Sequence, residues 1–480
     1  MTAFFRFTLR LLNAILYGAM SNLHEEKEGL TNTQIKLPKL WNRNFAILVI
    51  GSFISMVGYT CASFAISLSV YDTTGSVLFY ALTLVTAVLP KLVVPMIAGT
   101  VFDRHSRRKA IPRIDYCYTT LFLTIGLLTH FGIMKYWMFF ISALILGTLD
   151  GTYMVAFDSL FPLLTTTQNT RKAYSINSML YPIASIITTP LTLLGYDSIG
   201  PVALFLGASV LFAITATVEL WIILREPHLV PFKPEEQAKL PPSPRELEYL
   251  SQGKDLSAFT ARKEKGSFIG DFKEGIKYIA GEKGLLAITI YFFVISLCGG
   301  IMGTLNLPYF RSNVFMVGGK AIDGMWAYFI VFGSSTLGRI IGANVQYRIK
   351  FPKDIRYNVA VFVYITINIT SIIVFHLPVW LMACVMFVEG TLSVTSYNIR
   401  ISSTSTYVPD DKRGRFNGAF LLFNMLGTIL GQLIAGFVGD IKGVTVPVII
   451  SIVYIVNLLF VFIIIVPAKK HISPIYNRDL

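Results

Sequence analysis

The stretch LILGTLDGTYMVAFDSLFPLL, residues 144–164, places two carboxylates, Asp150 and Asp158, in a run otherwise suited to hydrocarbon. A third acid in such a setting, Glu389, lies in FVEGTLSV. An acid at the centre of a membrane helix costs about 2.5–3.5 kcal/mol on insertion scales, so such groups are functional hypotheses by default. Their chemistry would be proton exchange. Desolvation favours the neutral acid, while a nearby cation or water favours the carboxylate. A group exposed in turn to two aqueous sides could take up a proton on one and release it on the other. The plain alternative is structural: an acid hydrogen-bonded to a neighbouring helix, or paired with Lys91, Arg339 or Arg400, the three bases that also fall within apolar runs.

Spacing adds to the signal. Asp150–Gly151–Thr152 returns as Glu389–Gly390–Thr391, an offset of 239 residues. The glycines would let another helix approach beside each acid, and the threonines could hydrogen-bond within their own helices. Asp158 lies roughly 12 Å from Asp150 at 1.5 Å per residue; it reads equally as a second proton stop or as a helix-end acid. Tyr153, Phe157, Tyr181 and Tyr397 offer faces for bulky apolar cations, although packing and lipid contact are the commoner uses of aromatics in such spans.

The elements that must position these groups follow from composition. The chain has 480 residues, 54% of them hydrophobic and 14% charged, with a mean hydropathy of +0.62; soluble domains carry about 25% charged residues. Apolar runs of membrane-spanning length recur throughout, each able to cross roughly 30 Å of hydrocarbon as a helix. Twelve spans are expected, near 45–70, 77–102, 114–134, 136–164, 174–195, 201–224, 284–308, 322–346, 357–377, 379–406, 416–440 and 444–467. An even number puts both termini on one side. The loops on that side and the tails hold 34 of the 41 Lys and Arg, the opposite loops only Lys135, Arg311, Lys320 and Lys442. This positive-inside split places both termini in the cytoplasm of a multi-pass protein of the cell membrane.

The same split accounts for the net charge of +14. Spread over short loops beside the membrane, it suits anionic lipid headgroups and not a nucleic acid. Cys61, Cys117, Cys298 and Cys384 fall in four different spans, without disulfide or metal spacing. No HExxH, phosphate-cradling loop or nucleophile–base set is present. The expectation is therefore no enzyme, no cofactor and no metal.

Outside the spans, residues 1–44 read as a cytoplasmic segment. There Arg6, Arg10 and Asn13 form one polar stripe on a helix suited to the membrane interface. Residues 225–283 hold eleven basic and ten acidic residues, with six prolines between Pro227 and Pro244. They read as a cytoplasmic linker with one short amphipathic helix around FIGDFKEGIKYIAGEKG, too small to bury a core. The linker divides two six-span units, 45–224 and 284–467, and 468–480 is a cytoplasmic tail.

The turn after the second span reads GTVFDRHSRRKA. Gly99, Asp103, Arg104, Arg107 and Arg108 resemble the G-x-x-x-D-R-x-x-R-[RK] signature of major facilitator superfamily transporters. VYDTTGS, LPKLVVP and VPDDKRGRFNG are similar to the macrolide-efflux and enterobactin-exporter branch of bacterial drug:proton antiporters. The resemblance covers residues 41–467. It implies an all-α integral membrane fold of twelve helices in two pseudo-symmetric six-helix bundles, with the fourth and tenth lining a central cavity. Asp150 and Glu389 would then face each other across a translocation path. It also implies that Asp103 meets the start of the eleventh helix, near Arg415 to Gly418, when the protein opens outward, with Gly99 admitting the close approach. A worn second copy, GRIIGANVQYR, has Gln346 in place of the acid. The function implied is proton-coupled efflux of drug-like or amphipathic small molecules by a monomer in the lipid bilayer, with sodium as the other candidate ion. A nutrient importer, a lipid or siderophore exporter, and a non-transporting membrane sensor are the rivals.

Overall fold

The structure, a computed structural model, describes residues 38–230, 232–252, 268–348 and 351–478. The amphipathic stripe expected at Arg6, Arg10 and Asn13 lies outside these residues. The first half contains α1 (Arg43–Thr74), α2 (Val77–Val88), α3 (Pro90–Phe102), α4 (Arg107–His130), α5 (Tyr136–Leu160), α6 (Thr167–Ser198) and α7 (Gly200–Glu219). Asn42 opens α1 by accepting the Phe45 N–H at 3.0 Å, and Gly75 ends it in the left-handed region at φ 64°. Leu89 separates α2 from α3, because Pro90 has no N–H to continue the helical ladder.

Three short helices follow: α8 (Pro234–Ala238), α9 (Pro244–Ser251) and α10 (Phe268–Gly281). The second half holds α11 (Lys283–Arg311), α12 (Gly324–Arg348), α13 (Arg356–Ile373), α14 (Val379–Tyr407), α15 (Asp410–Gly439), α16 (Val446–Phe460) and α17 (Lys469–Tyr476). Each expected span overlaps a helix, or α2 and α3 together. Among the described residues, nine stretches are long and apolar enough to cross a membrane. The helices α4, α6 and α12 have 24, 32 and 25 residues but are more polar.

Packing repeats between the halves. In the first, α1 lies along α6, α3 along α5, and α4 along α7; in the second, α11 lies along α15, α12 along α14, and α13 along α16. Small residues set the approach. A Cβ at Gly147 of α5 would collide with the Ala87 carbonyl of α2, and one at Gly390 of α14 with the Ser335 carbonyl of α12. The halves meet chiefly through α2 with α15 and α6 with α12. The face at which α1 begins and α17 ends is called here terminal, and the opposite face distal. A distal loop, unmarked by hydropathy, forms a hairpin of β1 (Val314–Val317) and β2 (Lys320–Asp323). Gly318 and Gly319 turn it at φ 56° and 80°, as a two-residue turn with positive φ at both positions requires.

The first part of the linker is docked onto the first half. The buried Glu226 carboxylate accepts from the Ser106 hydroxyl and, at 2.8 Å, from the Arg107 N–H. Glu248 accepts from Thr167 N–H at 2.6 Å and from its hydroxyl at 2.8 Å. Two linker carboxylates thus satisfy the orphan N–H groups that open α4 and α6. Capping by Ser106 and Glu226 is why α4 starts at Arg107, seven residues ahead of the expected span. Lys109, hydrogen-bonded to Glu236, holds that carboxyl below its usual range. This tie is kept at neutral pH and loosens as pH falls through the lowered value.

Candidate functional site

Asp150 lies near the middle of α5, and Gly147, one turn before it, brings α5 against the broken α2–α3 stretch. That contact places Lys91, two residues past the break, beside the acid, and the two form an ion pair. Both side chains are partly exposed, 29% for Lys91 and 34% for Asp150. The ammonium also donates to the Tyr59 hydroxyl of α1 at 3.4 Å and sits 5.8 Å from that ring's centroid. Tyr59 packs edge-on against Tyr118 of α4, with centroids 6.2 Å apart. Of the three bases inside apolar runs, Lys91 is therefore the partner of Asp150. Arg400 instead lies among Phe420, Phe292 and Tyr397, its guanidinium 4.7, 5.1 and 5.2 Å from their centroids.

Glu389 is placed differently from the expectation that it faces Asp150. Its side chain is buried within the second half, accepting from Thr370 Oγ1 at 2.6 Å and Ser371 Oγ at 3.0 Å. The neighbourhoods explain the difference. Gly151 rests on Val94 and Pro95 of α3, and Gly390 on Ser335 of α12. The first half supplies a lysine beside its acid, whereas the second supplies two hydroxyls from α13. The threonines behave as expected: Thr152 Oγ1 donates to Thr148 O at 2.8 Å and Thr391 Oγ1 to Phe387 O at 3.0 Å. Asp158 is exposed two turns beyond Asp150, at the terminal end of α5. Tyr153 and Phe157 stack, with centroids 5.9 Å apart; Tyr397 packs on Arg400.

The signature turn lies at the terminal face. Asp103 and Arg104 are exposed, while Arg107 Nη1 donates to Ser159 O at 3.3 Å and Arg108 Nη1 to Ile222 O at 3.0 Å. The two arginines thus tie α4 to the ends of α5 and α7. Gly99 meets nothing within 4 Å, and neither do Gly414 and Gly418 of α15. The close approach expected at Gly99 is absent in this conformation. The start of α15 also lies earlier than Arg415, at Asp410, and Arg415 pairs with Glu274 of α10 at 2.8 Å. In the worn copy, Gly342 does sit at a close approach, a Cβ there falling 2.9 Å from Thr391 Cα. Gln346 accepts from Asn398 at 2.6 Å.

The distal face is where the halves join. Asp440, ending α15, accepts from Ser76 Oγ at 2.6 Å, Val77 N at 2.8 Å and Leu78 N at 3.2 Å, capping α2. Arg311, ending α11, reaches Asp72 at 3.0 Å and Asp197 at 2.9 Å in the other half. The Tyr71 and Ser312 hydroxyls lie 2.8 Å apart. The halves are tied at the distal face, while Gly99 and Gly418 have open space beside them at the terminal one. Sequence reading missed Asp440, Asp72 and Asp197, because an acid at a span end carries no hydropathy signal.

The sequence pattern of the Major Facilitator Superfamily matches residues 48–404. The chain is 24% identical over 312 residues to "Uncharacterized MFS-type transporter YkuC" of Bacillus subtilis (strain 168), covering 64% of this chain and 66% of that one. It is 21% identical over 277 residues to "Macrolide efflux protein A" of Streptococcus pyogenes, covering 57% and 61%. The chain thus spans a little under two thirds of the length of these relatives. The nucleoside transporter NupG superposes with a TM-score of 0.61 at 14% identity, over 88% of this chain and 98% of that one. A POT family transporter in complex with a thioalcohol conjugated peptide gives 0.59 at 13%, over 89% and 96%. At these identities the structural likeness is one of fold.

Proposed function

The chain belongs to the Major Facilitator Superfamily, and on that premise we propose that it is a secondary active transporter exporting drug-like or amphipathic small molecules in exchange for protons. In this reading twelve helices form two six-helix bundles, 45–224 and 284–467, in the cell membrane. The tails and the 225–283 linker face the cytoplasm, and the terminal opening is the inward one. The observation that carries the proposal is the Lys91–Asp150 pair, a partly exposed ion pair within the spans. A proton on Asp150 breaks the pair and leaves Lys91 to Tyr59. A cationic substrate competes with Lys91 for the same carboxylate. Proton and substrate then exclude one another, which is the minimal condition for exchange.

Support for efflux comes from the similarity to macrolide efflux protein A. Glu389 would tune the second half, and Asp158 would stand at the inward mouth as a proton stop. The signature residues Gly99, Asp103, Arg104, Arg107 and Arg108 would gate that mouth. A nutrient importer, a lipid or siderophore exporter, and a membrane sensor remain the alternatives. The deciding experiment measures flux of candidate compounds, macrolides among them, in proteoliposomes under an imposed pH gradient. Substrate moving against its gradient as protons run down theirs is the expected result. Uptake with the proton gradient would favour an importer, and no flux of any compound a sensor.

A further inference from the structure

Two carboxylates that the exchange described above does not use lie in the first half. Asp115 of α4 and Glu219, the last residue of α7, are each 0% exposed. Asp115 Oδ2 accepts from Ser55 Oγ at 2.8 Å. Its Oδ1 and both oxygens of Glu219 have no hydrogen-bond partner among the described residues. No Lys, Arg or His among those residues pairs with either acid. The wall over both acids is α1. A Cβ at Gly51 would fall 2.9 Å from Glu219 Oε1, and Ser55, one turn on, is the residue bonded to Asp115. The two acids therefore meet α1 at points four residues apart, about 6 Å along its axis, and act on each other electrostatically.

The groups facing them are hydroxyls and rings. From α5 comes Tyr153, whose hydroxyl is 3.1 Å from Ser52 Oγ and lies in electrostatic range of Glu219, Asp115 and Asp150. From α4 comes Tyr118, in range of Asp115 and Asp150; from α7, Thr215 lies beside Gly51. Of the bases around this network, Lys91 is paired with Asp150, Arg108 is turned to the Ile222 carbonyl just past Glu219, and Arg113 is exposed two residues before Asp115. Two ionised carboxylates sealed together with unpaired oxygens and no cation would be prohibitively costly, and the usual resolution is that the group takes up a proton.

We propose that Asp115 and Glu219 form a proton-binding pair that holds at least one proton in the distally closed conformation and exchanges it with Asp150 through the Tyr153 side of the bundle. Proton binding by the pair stands on its own geometry; its use in coupling rests on the transport reading. Glu219 and Asp115 come from α7 and α4, which pack together, while the seal over them comes from α1. A shift of α1 away from α4 and α7 would open the pair to water and let it ionise.

The test is pH-difference infrared spectroscopy on the purified full-length protein in lipid, with Asp115→Asn, Glu219→Gln and the double variant. The amides match the neutral acids in shape and so should fold. The expected result is a protonated-carboxyl C=O absorption in the wild type near neutral pH, with a component that is reduced in each single variant and lost in the double. Ser55→Ala should shift the Asp115 part of the band by removing its donor. In proteoliposomes, loss of pH-driven flux in the double variant would support the coupling role. A band unchanged in the double variant, or unmoved by Ser55→Ala, overturns the pair as a proton site. Unchanged pH-driven flux in the double variant overturns its part in coupling. A band that behaves as expected in a wild type without pH-driven flux of any substrate supports the proton site and sinks the efflux reading.

Discussion

At the scale of single residues, Asp150 and Glu389 share a motif and differ in chemistry. Asp150 has a lysine counter-ion, both side chains being partly exposed, while Glu389 is held by two hydroxyls inside its own half. Asp150→Asn keeps size and polarity but removes the titration, so pH-driven flux should vanish while substrate binding and exchange persist. Uphill transport at the wild-type rate in sealed vesicles carrying that variant would make the acid structural. Glu389→Gln should leave transport running and change mainly its pH profile or its preference for substrate charge. The sequence made both acids visible because each interrupts an apolar run. What each touches was not legible, since the answer depends on which side chain a neighbouring helix presents at that height. Asp115 and Glu219 escaped notice for a related reason. Each lies near the end of its expected span, where an acid draws no attention, and only the docking of α1 over them buries both.

At the scale of elements, glycine positions decide how closely helices approach, and the structure separates two kinds. Gly147 has the Ala87 carbonyl where a Cβ would go, so Gly147→Ala forces α5 away from α2 and α3. Overpacking of this sort costs about 1–3 kcal/mol, and it would also part Lys91 from Asp150. Thermal unfolding in detergent should show the loss, with reduced flux in the same variant. Gly99→Ala meets open space here, so stability should stay within about 0.5 kcal/mol of wild type. Transport should nonetheless slow, if the opposite conformation brings α15 against Gly99. Equal thermal losses in the two variants would contradict this division. Helix placement was readable from hydropathy, with ends displaced by up to seven residues, as at Arg107 and Thr167. The docked linker was not: its proline-rich, mixed-charge composition looks like a plain connector. Glu226 and Glu248 find their partners only where α4 and α6 begin in space.

At the scale of the whole molecule, α2 and α15 pack in opposite directions, Gly439 beside Val77 and Gly436 beside Ala81, and the α2–α3 stretch and α15 each end in an acid. Asp440 caps α2 at the distal face in the conformation seen here, and Asp103 ends α3 at the terminal face, on the same side as the beginning of α15. If the chain alternates its access as proposed above, the two acids would act as opposed latches, one for each closed state. An anion at a helix N-terminus contributes about 0.3–1 kcal/mol when exposed and up to about 2 kcal/mol when partly buried. A loss of one to two kcal/mol changes a two-state ratio by roughly 5–30-fold, enough to redistribute the open forms without unfolding either half. Asp440→Ala should therefore move the population toward distal opening, the more so when combined with Arg311→Gln, which frees Asp72 and Asp197. Asp103→Asn should move it the other way and slow turnover more than it weakens substrate binding, while Gln346→Ala, lacking a charge to lose, stays mild. Spin labels at Thr73 and Lys442 report the distal gap, and labels at His105 and Asp411 the terminal one. The expected record is a longer distal distance and a shorter terminal distance in Asp440→Ala, with the reverse trend in Asp103→Asn. If both substitutions shift the two distances in the same direction, the acids are not opposed, and the distal cap of α2 is only a helix end satisfying its own N–H groups.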